Sequence, residues 1–178
     1  MQELETRILD IDIEAIRNTL AALKTEKVKM ENQVNKIYDF PDRRLLNKKG
    51  YARIRIVEDM LRDKTVNYIT TKEMMSQEKY KIMEEHETII EDAAEGEEIF
   101  RTLGLELVQE VKKYRESYKY KNTLVEIDIN DKSFCPFPYI EIETFFEEEL
   151  KEIVQLLGYR LEDTTSKTIH EILTARGL

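Results

Sequence analysis

The sequence predicts an α+β fold in which an eight-stranded antiparallel sheet closes into a barrel and the helices pack outside it. Eight segments alternate polar and apolar residues with the period of two that is typical of strands. Four further segments carry apolar residues at helical spacing. The chain has three prolines, five glycines and no low-complexity stretch, which indicates a single domain over residues 1–178.

The order of the elements supports a curled sheet. The predicted strands cover residues 2–9, 33–39, 50–58, 65–74, 79–91, 107–121, 122–130 and 138–146, and the predicted helices cover 13–26, 92–103, 147–157 and 165–176. Asp63-Lys64 and Lys121-Asn122 are expected to form hairpin turns, while Gly104 and Gly158 stand where left-handed helix ends are favoured. A sheet with this many antiparallel strands tends to curl, and we therefore expect a closed barrel.

Composition excludes several classes of protein. Apolar residues make up 41% and charged residues 37% of the 178 residues, and no apolar stretch approaches the about 18 residues that a membrane span requires. The start, Met1-Gln2-Glu3, does not resemble a secretory signal, so we expect a cytoplasmic protein that does not bind membranes. A net charge of −9 argues against duplex nucleic acid as a partner. One cysteine and two histidines cannot form a Cys/His zinc site, so oxygen atoms are expected to hold any metal.

One face of most predicted strands is charged. Acidic residues recur at alternate positions in four strands, and basic residues do so in two others. The acidic pairs are Glu3/Glu5, Glu85/Glu87, Glu126/Asp128 and Glu141/Glu143, and the basic pairs are Arg53/Arg55 and Lys113/Arg115. The apolar strand faces are the natural partners of the amphipathic helices, so closure of the sheet would enclose the charged faces.

An enclosed surface of acids and bases indicates a ligand. Unpaired buried charges are costly, and even paired ones contribute little to stability. A polyphosphate with its divalent cations fits such a surface, because phosphate oxygens accept hydrogen bonds from Arg and Lys while Mg²⁺ and Mn²⁺ bind carboxylates. The competing interpretation is a sheet whose charged face is simply solvated.

Several motifs follow one another in a specific order along nearly the whole chain. They are Glu3-Leu4-Glu5-Thr6-Arg7, Ile37-Tyr38-Asp39-Phe40-Pro41-Asp42, Gly50-Tyr51-Ala52-Arg53-Ile54-Arg55, Tyr68-Ile69-Thr70-Thr71-Lys72, Glu85-His86-Glu87, Val111-Lys112-Lys113-Tyr114-Arg115, Glu126-Ile127-Asp128, Tyr139-Ile140-Glu141-Ile142-Glu143 and Lys167-Thr168-Ile169-His170-Glu171-Ile172-Leu173. Together they resemble the CYTH family of triphosphate tunnel metalloenzymes, which contains class IV adenylyl cyclases, thiamine triphosphatases and inorganic triphosphatases.

The resemblance implies a tunnel that binds a triphosphate together with Mg²⁺ or Mn²⁺. The phosphate-binding residues it implies are Arg53, Arg55, Lys72, Lys113, Arg115 and Lys167, the acids on the metal side are Glu3, Glu5, Glu85, Glu87, Asp128, Glu141 and Glu143, and the catalytic residues are Arg7 and Lys72.

The chain departs from the family pattern at three places. Arg7 replaces the lysine of the opening signature, and an arginine can bind phosphate but does not accept a proton at neutral pH. Residues 134–138, Phe-Cys-Pro-Phe-Pro, replace a glycine before the last acidic strand, and Ile169 stands where the family often has tyrosine. These changes predict that metal-bound water is the nucleophile in hydrolysis and that one mouth of the tunnel is reshaped.

The function that the sequence predicts is metal-dependent chemistry on a small-molecule triphosphate. It leaves open ATP cyclisation and the hydrolysis of tripolyphosphate, thiamine triphosphate or a nucleoside triphosphate. The alternatives are a non-catalytic phosphate- or polyphosphate-binding module and an interaction protein with solvated charged strands. The apolar stripe Ile13, Ile16, Leu20 and Leu23 is expected in the core, and it is also a candidate contact for a homodimer.

Overall fold

The computed structural model describes residues 2–178 and contains one closed antiparallel barrel of eight strands. The strands are β1 (Gln2–Leu9), β2 (Glu26–Asp39), β3 (Tyr51–Asp59), β4 (Lys64–Gln77), β5 (Lys81–Ile90), β6 (Glu106–Tyr120), β7 (Thr123–Asn130) and β8 (Tyr139–Thr144). Their order around the barrel is β1-β5-β4-β3-β2-β6-β7-β8. The predicted α+β barrel is therefore confirmed.

Four helices surround the barrel, and their apolar stripes cover the apolar strand faces. They are α1 (Ile13–Ala22), α2 (Ala93–Thr102), α3 (Glu147–Leu156) and α4 (Ile169–Ala175). The largest core cluster joins α1 and α3 to β1, β7 and β8 through Ile8, Ile16, Leu20, Val125, Ile127, Ile140, Ile142, Leu150, Ile153 and Val154. A second cluster packs Phe100 of α2 on Ala52 and Ile54 of β3. Within residues 2–178, no helix combines the length and the apolar character that crossing a membrane would require.

Turn geometry agrees with the sequence prediction at the hairpins and helix ends. Asp63 and Lys121 take positive φ angles of 51° and 52° at the two predicted hairpin turns. Gly104 and Gly158, with φ of 91° and 86°, end α2 and α3 in the left-handed conformation that glycine adopts without strain.

Some element boundaries differ from the prediction. The first helix ends at Ala22 rather than at residue 26, because Lys24 turns the chain with a φ of 54°, and β2 then starts at Glu26 instead of residue 33. The last helix begins at Ile169, not at residue 165, since Thr168 is its N-cap and forms a capping box with Glu171.

The barrel closes along β1. Residues 2–5 of this strand pair with β5, and residues 4–9 pair with β8. Beyond the end of the β5 pairing, the backbone of Arg7 exchanges two hydrogen bonds with Thr165, at 3.0 and 2.9 Å. The segment before α4 thus covers the part of β1 that β5 leaves open, and we call this the closing seam.

A buried carboxylate fastens α1 to the outside of β6. The side chain of Glu116 is 3% exposed and accepts hydrogen bonds from Arg17 at 2.7 and 3.2 Å and from the hydroxyls of Tyr114 and Tyr118, each at 2.7 Å. Burial alone would raise the pKa of Glu116, but these donors outweigh it and lower the pKa to about 2. Its charge therefore stabilises the fold.

We expect Glu116→Gln to lower the free energy of unfolding by about 2–3 kcal/mol at pH 7. The native pKa lies below the ordinary value of 4.5, so this stabilisation is complete above pH 4.5 and disappears as the pH falls towards 2. Urea unfolding of wild type and variant at pH 7 and at pH 3 measures the difference. Glu14→Gln is the matched control, because Glu14 binds the same Arg17 with a side chain that is 74% exposed. An equal loss in both variants, or a Glu116→Gln loss that does not shrink in acid, would contradict the prediction.

Candidate functional site

The charged strand faces enclose a cavity of about 740 Å³ inside the barrel. Every predicted site residue except Asp128 and Lys167 lines it. The predicted residues in its wall are Glu3, Glu5, Arg7, Arg53, Arg55, Lys72, Glu85, Glu87, Lys113, Arg115, Glu141 and Glu143. The charged face is therefore turned to the interior, and the solvated-sheet interpretation is wrong for this chain.

Two basic pairs form one side of the cavity. Arg53 and Arg55 project from β3, and Lys113 and Arg115 project from β6. Burial together with the neighbouring Arg53 lowers the pKa of Arg55, and burial together with Arg115 lowers the pKa of Lys113. This wall thus carries positive charge that an anion would stabilise.

The arginines of β3 also retain unused donors. Arg55 binds Glu87 at 2.7 Å, and Arg53 lies 3.3 Å from Glu87 and 3.6 Å from Glu85. The buried Nε atoms of both arginines have no hydrogen-bond partner. Buried donors without partners are costly, so a phosphate oxygen beside them would be favourable.

Three carboxylates meet on the other side of the barrel. Oxygens of Glu5, Glu141 and Glu143 lie within 4.8 Å of one another. The pairing of β1 with β8 explains this arrangement, because Glu5 stands directly opposite Glu143 in the ladder. Glu141 lies two residues before Glu143 on β8 and therefore on the same face of the strand. The strand order places β3 across the barrel from β1 and β8.

The donor set of this cluster fits a divalent cation. Burial and the negative charge of Glu126 raise the pKa of Glu143 to about 8. Among the described residues, the structure gives Glu143 no ion pair, whereas a cation beside it would stabilise its charged form. Clustered carboxylate oxygens are the ligands that Mg²⁺ and Mn²⁺ prefer.

Two lysines contact the carboxylate cluster. The Nζ of Lys72 lies 2.5 Å from Glu5 Oε1 and 2.7 Å from Glu85. The Nζ of Lys81 contacts the other oxygen of Glu5 and lies 3.6 Å from Glu141. Burial opposes the charge of Lys72, but Glu5 and the other acidic groups around it together outweigh this effect and raise the pKa of Lys72 well above its ordinary value. Lys72 is consequently a fixed cation in this structure and suits phosphate binding better than proton transfer.

Arg7 connects the cavity to the closing seam. Its guanidinium forms an ion pair with Glu141, and its Nη1 donates a hydrogen bond of 3.0 Å to the backbone carbonyl of Lys167. Burial disfavours the charge of Arg7, yet Glu141 and the other acidic groups around it together outweigh this effect and raise the pKa of Arg7 further. The residue that replaces the signature lysine therefore remains charged and orients a carboxylate of the cluster.

Asp128 and Lys167 lie outside the cavity wall. Asp128 is fully buried and accepts hydrogen bonds from Arg115 at 2.6 and 2.7 Å and from Lys113 at 2.9 Å. Its place is that of an anchor for the bases rather than a member of the carboxylate cluster. The side chain of Lys167 is exposed, and only its backbone carbonyl contacts Arg7.

The structure adds charged residues to the site that the sequence analysis did not select. Lys81 is 4% exposed, and Lys29 lies 3.3 Å from the buried Glu126. The alternation of β5 was the available signal for Lys81, since it shares a face with Glu85. Lys79, which this alternation also puts on the charged face, precedes β5 and binds Glu147 of α3 instead.

Apolar side chains also contribute to the lining of the cavity. Phe134, from the proline-containing segment before β8, lies in the wall, and so do Ile37, Leu46, Val108 and Ile169. The cavity therefore offers apolar surface beside its charged groups.

The chain is similar to known proteins in both sequence and fold. A model of the CYTH domain matches residues 1–169. The solved structure of the PH1819 protein from Pyrococcus horikoshii aligns with a TM-score of 0.79 and 24% identity over 98% of this chain and 99% of its own. A Vibrio parahaemolyticus protein with an adenylate cyclase assignment gives 0.76 and 18% over 97% of each chain.

A third solved structure is HpAC1 from Hippeastrum, an assigned adenylyl cyclase described as having a dominant triphosphatase activity. It aligns with a TM-score of 0.64 and 18% identity over 99% of this chain and 87% of its own. At these identities the solved structures support the fold. The search of curated proteins gives no match.

Proposed function

Because this chain belongs to the CYTH domain family, we propose that it is a divalent-cation-dependent enzyme acting on a triphosphate inside the barrel. One observation carries the proposal: a single cavity brings the carboxylates of Glu5, Glu141 and Glu143 together across the barrel from buried bases with unused donors. This combination suits a polyanion that binds together with its metal ion.

In this proposal the bases hold the phosphate groups. Arg53 and Arg55 offer planar forks whose Nε donors are free, and Lys113 and Arg115 extend the positive wall on β6. Lys72 reaches the phosphates from β4. Lys167 would bind a phosphate group by turning its exposed side chain into the cavity. Such positioning and charge neutralisation are what phosphoryl and nucleotidyl transfer chiefly require.

Glu5, Glu141 and Glu143 would hold Mg²⁺ or Mn²⁺, and Glu3 on the same face of β1 would support it. A bound divalent cation neutralises phosphate charge and lowers the pKa of water, which supplies the nucleophile for hydrolysis. Arg7 orients Glu141 for this task. Glu85 and Glu87 are engaged with the bases of β3 and β4, so in our proposal they position those bases.

The role of Arg7 can be tested by returning the family's lysine. We expect Arg7→Lys to change turnover by less than about tenfold, because Arg7 acts as a fixed cation that orients Glu141 and not as a base. A pH–rate profile of both forms is the measurement. A gain of more than about tenfold with a new limb on the basic side would show general-base catalysis by the lysine.

The proposed function is tested by incubating the protein with Mg²⁺ or Mn²⁺ and tripolyphosphate, ATP or thiamine triphosphate. Products are separated as phosphate, diphosphate and cyclic nucleotide, which distinguishes hydrolysis from cyclisation. We expect release of product that depends on the cation and stops in EDTA. Tight binding of every triphosphate without turnover would instead support the non-catalytic binding module.

A further inference from the structure

The carboxylate cluster already holds side-chain cations. Lys72 contacts Oε1 of Glu5, and Lys81 contacts Oε2 of the same residue. On Glu141, Oε1 contacts Arg7 and lies 3.6 Å from Lys81, while Oε2 lies 3.3 Å from Arg115. On these two residues, the oxygens that would bind a divalent cation thus lie at ion-pair distance from a side-chain cation, whereas Glu143 has no ion pair among the described residues.

Lys81 differs from the other cations in where it sits and what holds it. It stands directly opposite Glu5 in the β1–β5 ladder, and its side chain is 5% exposed. Its described ion-pair partners are Glu5 and Glu141, two members of the carboxylate cluster. The other cations also have partners outside the cluster: Lys72 binds Glu85, Arg115 binds Asp128, and Arg7 donates a hydrogen bond to the backbone carbonyl of Lys167. Among the described residues, Lys81 is therefore the cation whose partners all belong to the carboxylate cluster.

A divalent cation and an ammonium group compete for the same carboxylate oxygens. Glu5 and Glu141 are close enough together for one ion to contact both, and like charges at that range repel strongly in a buried site. The lysine stem is long and flexible, and Lys81 lines the same cavity as the bases. An ammonium displaced from the carboxylates can therefore reach a bound anion without leaving the barrel.

We propose that Lys81 is an exchangeable counter-cation, which neutralises Glu5 and Glu141 in the metal-free barrel and transfers to the triphosphate when the divalent cation takes its place. This inference rests on the proposed function of the cavity and adds a residue that its recognition motifs do not include. Lys81 opposes metal binding in the empty barrel and favours triphosphate binding, so a single substitution should shift the two affinities in opposite directions.

The test uses Lys81→Met, which keeps the length of the side chain and removes its charge. Calorimetry with Mn²⁺ on phosphate-free protein should give an affinity at least about tenfold higher than that of wild type. Calorimetry with tripolyphosphate in EDTA should give an affinity about tenfold or more lower. Lys79→Met is the matched control, because Lys79 lies two residues away, outside the barrel, on Glu147; both of its affinities should equal those of wild type.

Lys81→Gln provides a second variant that retains a hydrogen-bond donor for Glu5 if the methionine variant does not fold. Unchanged Mn²⁺ affinity, or affinities for Mn²⁺ and tripolyphosphate that shift in the same direction, would overturn the proposal and leave Lys81 as a structural ion-pair partner. Failure of the proposed function is seen in wild type instead: absence of both Mn²⁺ and tripolyphosphate binding would remove the proposed site, and binding of both without turnover would leave a non-catalytic binding module.

Discussion

Glu143→Gln is expected to reduce cation-dependent turnover by at least about a thousandfold while the barrel stays folded. A divalent cation contributes several kcal/mol of transition-state stabilisation, and about 4 kcal/mol corresponds to a factor of a thousand. The amide keeps the shape of the side chain but is a much weaker metal ligand. Turnover of tripolyphosphate at limiting Mg²⁺ or Mn²⁺, with thermal unfolding of both forms, gives the comparison.

Glu143 is the most informative member of the cluster to replace, because removing its charge breaks no ion pair among the described residues. Glu5→Gln should also abolish turnover, but it deprives the buried Lys72 and Lys81 of their shared partner and is expected to weaken the fold as well. Glu148→Gln is the control, since Glu148 is 86% exposed on α3. Wild-type turnover in Glu143→Gln at limiting cation would remove this residue from the metal site.

The second large expected effect is on triphosphate binding by the basic pairs of β3 and β6. We expect Arg55→Ala to weaken tripolyphosphate binding by about 10- to 150-fold, because a hydrogen bond to a charged group contributes about 1.5–3 kcal/mol. The fold should survive, since Glu87 keeps its contacts with Arg53 and with the hydroxyl of Thr70. Calorimetry in EDTA measures the affinity, and Arg101→Ala, at an exposed position on α2, is the control.

Arg115→Ala should behave differently from Arg55→Ala. Arg115 is paired with Glu126, Asp128 and Glu141, so its removal takes a cation from three buried carboxylates. Glu126 and Asp128 lose their main partner, whereas Glu141 keeps Arg7. We expect a loss of about 3–5 kcal/mol in the free energy of unfolding in addition to lost binding. An unchanged tripolyphosphate affinity in folded Arg55→Ala would exclude the enclosed phosphate site.

The sequence allowed the fold to be predicted because alternation is a strong signal when one face is charged. A shift of one residue in any of the acidic strands would have placed Glu141 or Glu126 against the helices, so the pattern specifies which face is inside. The strand β2 was predicted seven residues too short. Its first half, from Glu26, follows α1 through a left-handed lysine, and no glycine or proline marks that turn.

The site was predicted less completely than the fold, since pairing between distant strands is invisible in a pattern read along the chain. Alternation shows that Lys81 and Glu85 share a face, but only the β1–β5 register shows that Lys81 faces Glu5. The partner of Asp128 was invisible for the same reason. Its partner is Arg115 on the neighbouring β6, directly opposite in the ladder.

The closing seam also predicts an order in which the strands of the barrel pair during folding. Strands β3, β4 and β5 pair as successive hairpins, and so do β6, β7 and β8. Strands that are neighbours in the chain pair quickly, because only a short loop has to close. β1 needs β5, β8 and Thr165 before its pairing is complete, so we expect it to pair in a slow step, because contacts between residues distant in the chain form slowly. Glu5 and Arg7 belong to β1. They can therefore remain hydrated until the lysines and carboxylates that will neutralise them are in position, and the refolding chain need not bury these charges alone.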